Sequence, residues 1–481
     1  MAGECLAQHL ERPLGRGHVP AHACTGAAGG AACGDLIRVS VAVEKTDPTG
    51  RISDAGFDAS GCGATVAAGS AAVTLLRGAP LLDAARIGVA EIEGELGGLS
   101  AAKRHAAELA ADALHRALGV AVRKSANLTP VAGRSLVAMS GGVDSAVAAL
   151  LQAADGGQAI GVTLELWSDP ENDGEASCCS AQAVRGAREL AHGLGMAHFS
   201  IDLREEFRAG VVDHWLVDHA AGLTPNPCVR CNGNVRLDAM LELAERLGSA
   251  TLATGHYARV EEGPFLRVAL DEGKDQSYVL SALSPASLAR LRFPLGELRK
   301  PRVRELAERA GLGVARRRDS QDLCFLAGTR PRTFLERHGG LGARPGQIVD
   351  RRGEVLGEHA GSHLFTVGQR HGLGIGGRAP LYVLATDAAQ NTVTVGAREQ
   401  LLAREVRVRE VTLHREAGSV DGVRVRAHGR LFAARLKEAL PAGRHARVSV
   451  ALEGPAERTA PGQHACLYAG ELVVGHGTIS A

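Results

Sequence analysis

The chain has 481 residues, 45% hydrophobic and 22% charged. That is the composition of a folded soluble protein, not a disordered one, and it is too long for a single hydrophobic core, so several domains are expected. A net charge of +1 gives no overall basic field; a nucleic-acid partner would be held by local patches such as Arg316, Arg317 and Arg318, or Arg299, Lys300, Arg302 and Arg304, although such runs are as often plain solvated faces.

The first 30 residues hold no sustained apolar stretch, so neither a signal peptide nor a membrane anchor is expected and the protein reads as cytoplasmic, with no membrane partner. In a reducing compartment ten cysteines suit metal, sulfur or redox chemistry better than a disulfide framework. After an N-terminal extension (1–29), residues 36–43 (LIRVSVAV) and 51–59 alternate as strands. Residues 101–118 (AAKRHAAELAADALHRAL) carry helical spacing, which predicts a small α+β domain over 30–120. Residues 121–134 (AVRKSANLTPVAGR) have no clear period and are predicted to be a linker. From 135 a buried-strand run (SLVAMS) enters SGGVDS and an Ala- and Leu-rich helix. GVTLEL, a helix from about 181, HFSIDL and TLATGHY follow, and strands alternating with helices predict a parallel α/β sheet over 135–340. Beyond it, GQIVDRRGEVLGEH, PLYVLATD and NTVTVG predict a small central β-rich domain (341–402). VRVREVTLH, GVRVRAHGRL and ACLYAGELVV predict a C-terminal β-barrel (403–481).

The strand-to-helix turn formed by Ser140, Gly141, Gly142, Val143, Asp144 and Ser145 has the chemistry of a phosphate-binding loop. Its glycines let backbone N–H groups approach pyrophosphate oxygens, and the helix N-terminus adds partial positive charge. The two serine hydroxyls can donate hydrogen bonds, and Asp144 suits Mg²⁺ or loop orientation better than phosphate. SGGVDS resembles the pyrophosphate loop of the N-type ATP pyrophosphatases, which adenylate an oxygen and release pyrophosphate. It lacks the GK[ST] ending of a Walker loop.

Downstream lie ATGHY (253–257), TPNPCVRCN (224–232), KDQSYVL (274–280) and SQDLCF (320–325). Together they resemble the tRNA-specific 2-thiouridylase family over roughly 135–481. The resemblance implies ATP-dependent activation of the C2 carbonyl of a wobble uridine, in tRNAs for Lys, Glu and Gln, and replacement of that oxygen by sulfur from a cysteine desulfurase or relay protein. It implies that Cys324 carries a persulfide and that Cys231 is the partner nucleophile. Chemistry agrees that a carbonyl activated as an adenylate needs a nucleophilic sulfur in the same pocket, and thiolates near Arg316, Arg317 and Arg318 would suit the task. By the same carry-over Leu164 and Gly255 contact adenosine, Asn226, Pro227 and Cys228 border the target base, and Lys274, Asp275 and Gln276 touch tRNA. Arg426 is a further tRNA contact whose expected aromatic neighbour is replaced by Ala427. Relatives often have Asp at the position of Cys228; with Cys228, Cys231 and Cys324 all present, a 4Fe–4S cluster that holds the sulfur is the alternative to the persulfide. A structural zinc site or buried thiols would be the bland explanation of these cysteines. No role is expected for Cys178 and Cys179.

Residues about 30–120, with ACGD (32–35), ASGCGA (59–64) and AAKRHAAELAADAL (101–114), resemble the NifU-like iron–sulfur cluster scaffold. The resemblance implies that Cys33, Asp35, Cys62 and His105 hold a metal or a nascent cluster. The family's third cysteine is Ala106 here, with Cys24 and Cys5 as the candidate substitutes; a degenerate domain kept for docking a desulfurase is the alternative. The mixed donor set also suits zinc. Two other functions compete with a sulfurtransferase: an iron–sulfur carrier with a non-thiolating ATP module, and a different adenylating ligase, which would not need Cys231 or Cys324.

Overall fold

The computed structural model describes residues 2–29, 34–169, 180–317, 319, 323–326, 328–376 and 379–480. Two compact units emerge: Met1–Arg204 with Ala239–His256 and Arg290–Cys324, and Glu205–Asp238 with Tyr257–Ala289 and Phe325–Ala481. No helix among the described residues is long and apolar enough to cross a membrane.

After the helix Ala2–Glu11, the first unit forms an antiparallel sheet of Cys24–Gly29, Leu36–Val43 and Ile52–Ser60 in chain order. The strand that alternates cleanly in burial is Cys24–Gly29, which lies in the stretch expected to be an N-terminal extension and is instead part of this sheet; Leu36–Val43 and Ile52–Ser60, expected to alternate, each bury three consecutive residues at their centre. The helix Gly63–Leu76 is small and apolar nearly all round and is buried accordingly. The longer helix Arg104–Lys124 runs past the expected end at 118 and into the stretch read as a linker. The rest of that stretch is pinned as well: the Leu128 amide bonds to the Arg246 carbonyl, Thr129 to Pro48 and Val131 to Gly248.

The same unit holds a five-stranded parallel sheet, ordered Leu291–Arg292, Thr251–Ala253, Ser135–Ala138, Ala159–Glu165, Ala197–Asp202. The strand order reverses at Ser135–Ala138, and the carboxyl end of such a switch point is where open α/β sheets bind ligands. The edge strand Ala197–Asp202 meets the helix Arg104–Lys124, so that helix is covered on two sides. Gly119 allows the approach, since a Cβ there would lie 2.0 Å from the Ser200 carbonyl oxygen. Asp112 accepts from Arg185 and Arg188, and Arg123 donates to the Asp202 carbonyl. The fully buried His115 ring lies between the carbonyls of Ile87 and His198. The N-terminal domain is therefore mounted on the parallel sheet and not tethered to it.

In the second unit, Val355–His359, Gly346–Val349, Thr392–Gly396 and Tyr382–Asp387 form a small four-stranded sheet. Six strands (Leu402–Leu413, Gly443–Glu457, Phe432–Leu436, Gly422–Arg424, His464–Ala469, Leu472–Ile479) close into a barrel, because Leu402–Leu413 pairs with both Gly443–Glu457 and Leu472–Ile479. One feature departs from the expected boundaries. The hairpin Arg259–Glu261/Phe265–Arg267, inside the stretch assigned to the α/β domain, extends the barrel sheet by pairing with Leu472–Ile479. The architecture is thus the expected multidomain one: a small α+β domain, a parallel α/β domain, a β-rich domain and a β-barrel.

Candidate active site

At the switch point, Gly141 takes φ +71°, which favours glycine, and Gly142 caps the helix Val143–Ala154. The Ser145 hydroxyl donates to the Gly142 carbonyl and pairs with the Ser140 hydroxyl at 3.1 Å, so both serines brace the loop. Gly255, following the neighbouring strand, lies so close that a Cβ would stand 2.7 Å from the Ser145 amide nitrogen. Its lack of a side chain is thus required by the loop backbone. Leu164 is buried on the strand Ala159–Glu165. Asp144 sits in the first helical turn, and the Lys300 ammonium donates to both its carboxylate oxygens at 2.7 Å. Lys300 also pairs with Asp319 at 2.9 Å, and Arg304 holds Asp319 from the other side at 2.8 Å. Arg317 donates to the Gly141 carbonyl at 3.1 Å. Sequence reasoning saw Lys300 only as part of a basic run, and nothing local marks it as the partner of an aspartate 156 residues away.

In the second unit, Asn226 caps the short helix Pro227–Cys231 by accepting from the amides of Cys228 and Val229, and its side chain also bonds to Tyr278. Pro227 occupies the first turn, where its missing N–H costs nothing. Cys228 and Cys231 stand one turn apart, the first exposed and the second buried. Surrounding protein pushes the Cys228 thiol above its usual value, opposed by Arg236. The helix continues through a π-turn, Asn232–Arg236, a distortion frequent at functional sites. Cys324, at the end of the first unit, begins the turn Cys324–Leu326 and is partly exposed. Of the expected arginines near it, Arg316 and Arg317 are exposed; Arg318 lies outside the described residues, as do Cys178 and Cys179.

The expected tRNA contacts differ in what they leave open. Asp275 turns inward: its carboxylate accepts from the amides of Ala269 and Ser277, from the Ser277 hydroxyl and from Arg424 at 2.6 Å. Gln276 bonds to the Tyr257 backbone through both its amide and its side chain. Lys274 is half-buried and Arg426 exposed. Near Ala427, which takes the place of the expected aromatic, Arg430 stacks on the Phe432 ring at 4.6 Å.

In the N-terminal domain, ligand atoms of Asp35, Cys62 and His105 lie within 4.8 Å of one another. Asp35 accepts from the Thr65 hydroxyl at 2.5 Å and the Cys62 amide at 3.1 Å, and the Thr65 bond is the main force holding its carboxyl below the usual range. Gly61 closes over it: a Cβ there would meet Asp35 Oδ1 at 2.3 Å. Cys33 lies outside the described residues, and Ala106 is fully buried. Cys24 does not replace the missing thiolate. Its Sγ contacts Ser125, 20 residues beyond His105 along one helix and so about 30 Å away. Among the described residues Asp35, Cys62 and His105 thus offer a mixed carboxylate, thiol and imidazole donor set of a kind that suits zinc.

Four family models match in series: NifU-like N terminal domain (3–126), tRNA methyl transferase HUP domain (133–328), tRNA methyl transferase PRC-barrel domain (332–397) and aminomethyltransferase beta-barrel domain (398–479). A Bifunctional protein NifU/MnmA of Rubrobacter xylanophilus is 43% identical over 99% of this chain and 98% of its own. Two proteins named tRNA-specific 2-thiouridylase MnmA are similar over 72% of this chain: that of Acidithiobacillus ferrooxidans, 43% identical over 98% of its length, and that of Thermobifida fusca, 44% identical over 95%.

Proposed function

The chain belongs to the tRNA-specific 2-thiouridylase family and carries a NifU-like domain ahead of it; from that membership we propose how its residues thiolate tRNA. ATP occupies the SGGVDS loop, where backbone N–H groups and the helix N-terminus receive the polyphosphate, and Asp144 would hold the Mg²⁺ that would offset its charge. The C2 oxygen of the wobble uridine attacks the α-phosphorus and pyrophosphate leaves. The outer sulfur of a Cys324 persulfide then attacks C2 and AMP departs with the former carbonyl oxygen. The Cys231 thiolate attacks Cys324 Sγ, which releases 2-thiouridine and leaves a Cys231–Cys324 disulfide for external thiols to reduce.

Asn226, Pro227 and Cys228 border the base, with Asn226 also fixing the helix that carries both thiols. Lys274 and Arg426 serve as phosphate contacts, while Asp275 and Gln276 order the loop that presents Lys274. The substrates are tRNAs for Lys, Glu and Gln, and a cysteine desulfurase or relay protein supplies the sulfur. What carries the reading is one combination: an intact SGGVDS loop together with Cys231 and Cys324, in a chain similar end to end to a NifU/MnmA protein. An exposed Cys228 one turn from Cys231 favours a second reading, in which these cysteines and Cys324 hold a cluster.

Anaerobic purification decides between the two, with iron and acid-labile sulfide quantified in wild type and Cys228→Ser and ATP-dependent thiolation assayed in both. Thiolation by iron-free protein supports the persulfide route; about four irons per chain, lost together with activity in the variant, replaces it by the cluster route. In Cys231→Ser and Cys324→Ser, adenylation of tRNA, read as pyrophosphate release, should persist while thiolation stops. A variant that still thiolates would overturn both readings.

A further inference from the structure

The ATP loop is neutralised from inside the protein. Asp144, the acidic residue of SGGVDS, directs both carboxylate oxygens at the ammonium of Lys300, which is only 8% exposed. A buried ammonium needs its charge compensated, and the compensation is shared: Asp319 lies 2.9 Å from the same nitrogen and is itself held by Arg304. Asp144 cannot give its oxygens to a divalent cation while both accept from Lys300.

We propose that Lys300 is a positioning residue of the ATP site, holding Asp144 in place until the Mg²⁺ of incoming Mg·ATP displaces it, with Asp319 retaining the displaced ammonium beside the polyphosphate. This rests on the reading that ATP binds the SGGVDS loop with Mg²⁺ at Asp144. The exchange conserves charge locally. Mg²⁺ takes over the carboxylate, and the released ammonium faces the negative phosphates instead of being carried into solvent. Asp319 is what makes the exchange possible, because it gives the lysine a second acceptor next to the first. No covalent step is involved, and Lys300 acts on the reaction only through Asp144 and the charge it returns to the phosphates.

Two substitutions then move Mg²⁺ dependence in opposite directions. Lys300→Gln removes the competitor for Asp144, so the Mg²⁺ concentration for half-maximal pyrophosphate release should fall, while KM for ATP rises about tenfold for want of one charged hydrogen-bond donor. Asp319→Asn takes away the second carboxylate that would receive the displaced ammonium, and half-maximal Mg²⁺ should rise severalfold. The experiment measures, for the full-length protein across Mg²⁺ concentrations, equilibrium binding of a non-hydrolysable ATP analogue without turnover and pyrophosphate release with tRNA, with far-UV circular dichroism and unfolding midpoint recorded for each variant. Opposite shifts support the proposal. Shifts in the same direction, or none, in folded variants overturn it; if Lys300→Gln does not fold, an Asp319→Asn without a rise overturns it alone. Absence of ATP-dependent pyrophosphate release from wild type would instead sink the underlying assignment of the loop, and this proposal with it.

Discussion

Replacing Gly119 by Ala sets two known effects against each other. In an exposed helix interior Ala is better than Gly by up to about 1 kcal/mol. Gly119, however, lies in the seam between the NifU-like domain and the parallel sheet, where the new methyl would stand 2.0 Å from the Ser200 carbonyl oxygen. That atom is backbone in the edge strand Ala197–Asp202 and cannot swing away as a side chain would. The helix must withdraw by more than an ångström, which strains the His115 contact to His198 and the Arg123 bond to Asp202. Overpacking costs about 1–3 kcal/mol, and each hydrogen bond lost adds about 1 kcal/mol. The net expectation is about 3 kcal/mol of destabilisation, read as a lower unfolding midpoint of the first unit and faster proteolysis within 121–134. Gly186→Ala is the control: Gly186 is exposed in the helix Ala181–Gly193 with nothing within 4 Å of its added Cβ, so it should be neutral or slightly stabilising. A Gly119→Ala protein as stable as wild type would refute the mounted-domain argument.

Stability should fall on acidification. Burial, with Arg188 nearby, holds His115 and His198 well below 6.5; above 6.5 both states are neutral and nothing changes. As pH drops below it, the unfolded chain takes up protons that the native chain refuses, at about 1.4 kcal/mol per pH unit for each ring. Urea unfolding at pH 7 and 5.5 should show this loss, and His115→Gln should reduce the slope by about one proton; an unchanged slope would mean the ring is charged in the fold. Asp275→Ala leaves the Arg424 guanidinium, 17% exposed, without its carboxylate and should cost about 3–5 kcal/mol. If the unfolding midpoint does not move, the carboxylate faces RNA and not the protein. In the N-terminal domain, zinc content after dialysis against Zn²⁺ should drop in Cys62→Ser and His105→Ala and stay unchanged in Cys24→Ser; equal loss in all three would remove the assigned trio.

The parts of this protein legible in its sequence are those whose physics is local. SGGVDS could be read because a glycine-rich turn and a helix N-terminus are properties of adjacent residues, whereas the thiols of NPCVRC were marked by a family resemblance, to which the structure adds that Asn226 caps their helix and Pro227 opens it. Alternating strands and the succession of domains followed from side-chain period alone. Tertiary structure decided what depends on partners distant in the chain. The stretch at 121–134 looked like a linker because its polar composition does not reveal that its amides bond to residues 48, 246 and 248. The hairpin at 259–267 carries no sign that its edge belongs to the strand Leu472–Ile479. Lys300 reads as part of a basic run and Asp275 as a tRNA contact until Asp144 and Arg424, 156 and 149 residues away, are brought against them. Backbone conformation is set between neighbours in sequence, whereas the neutralisation of a buried charge and the pairing of a strand edge are set by whichever segments the fold makes adjacent.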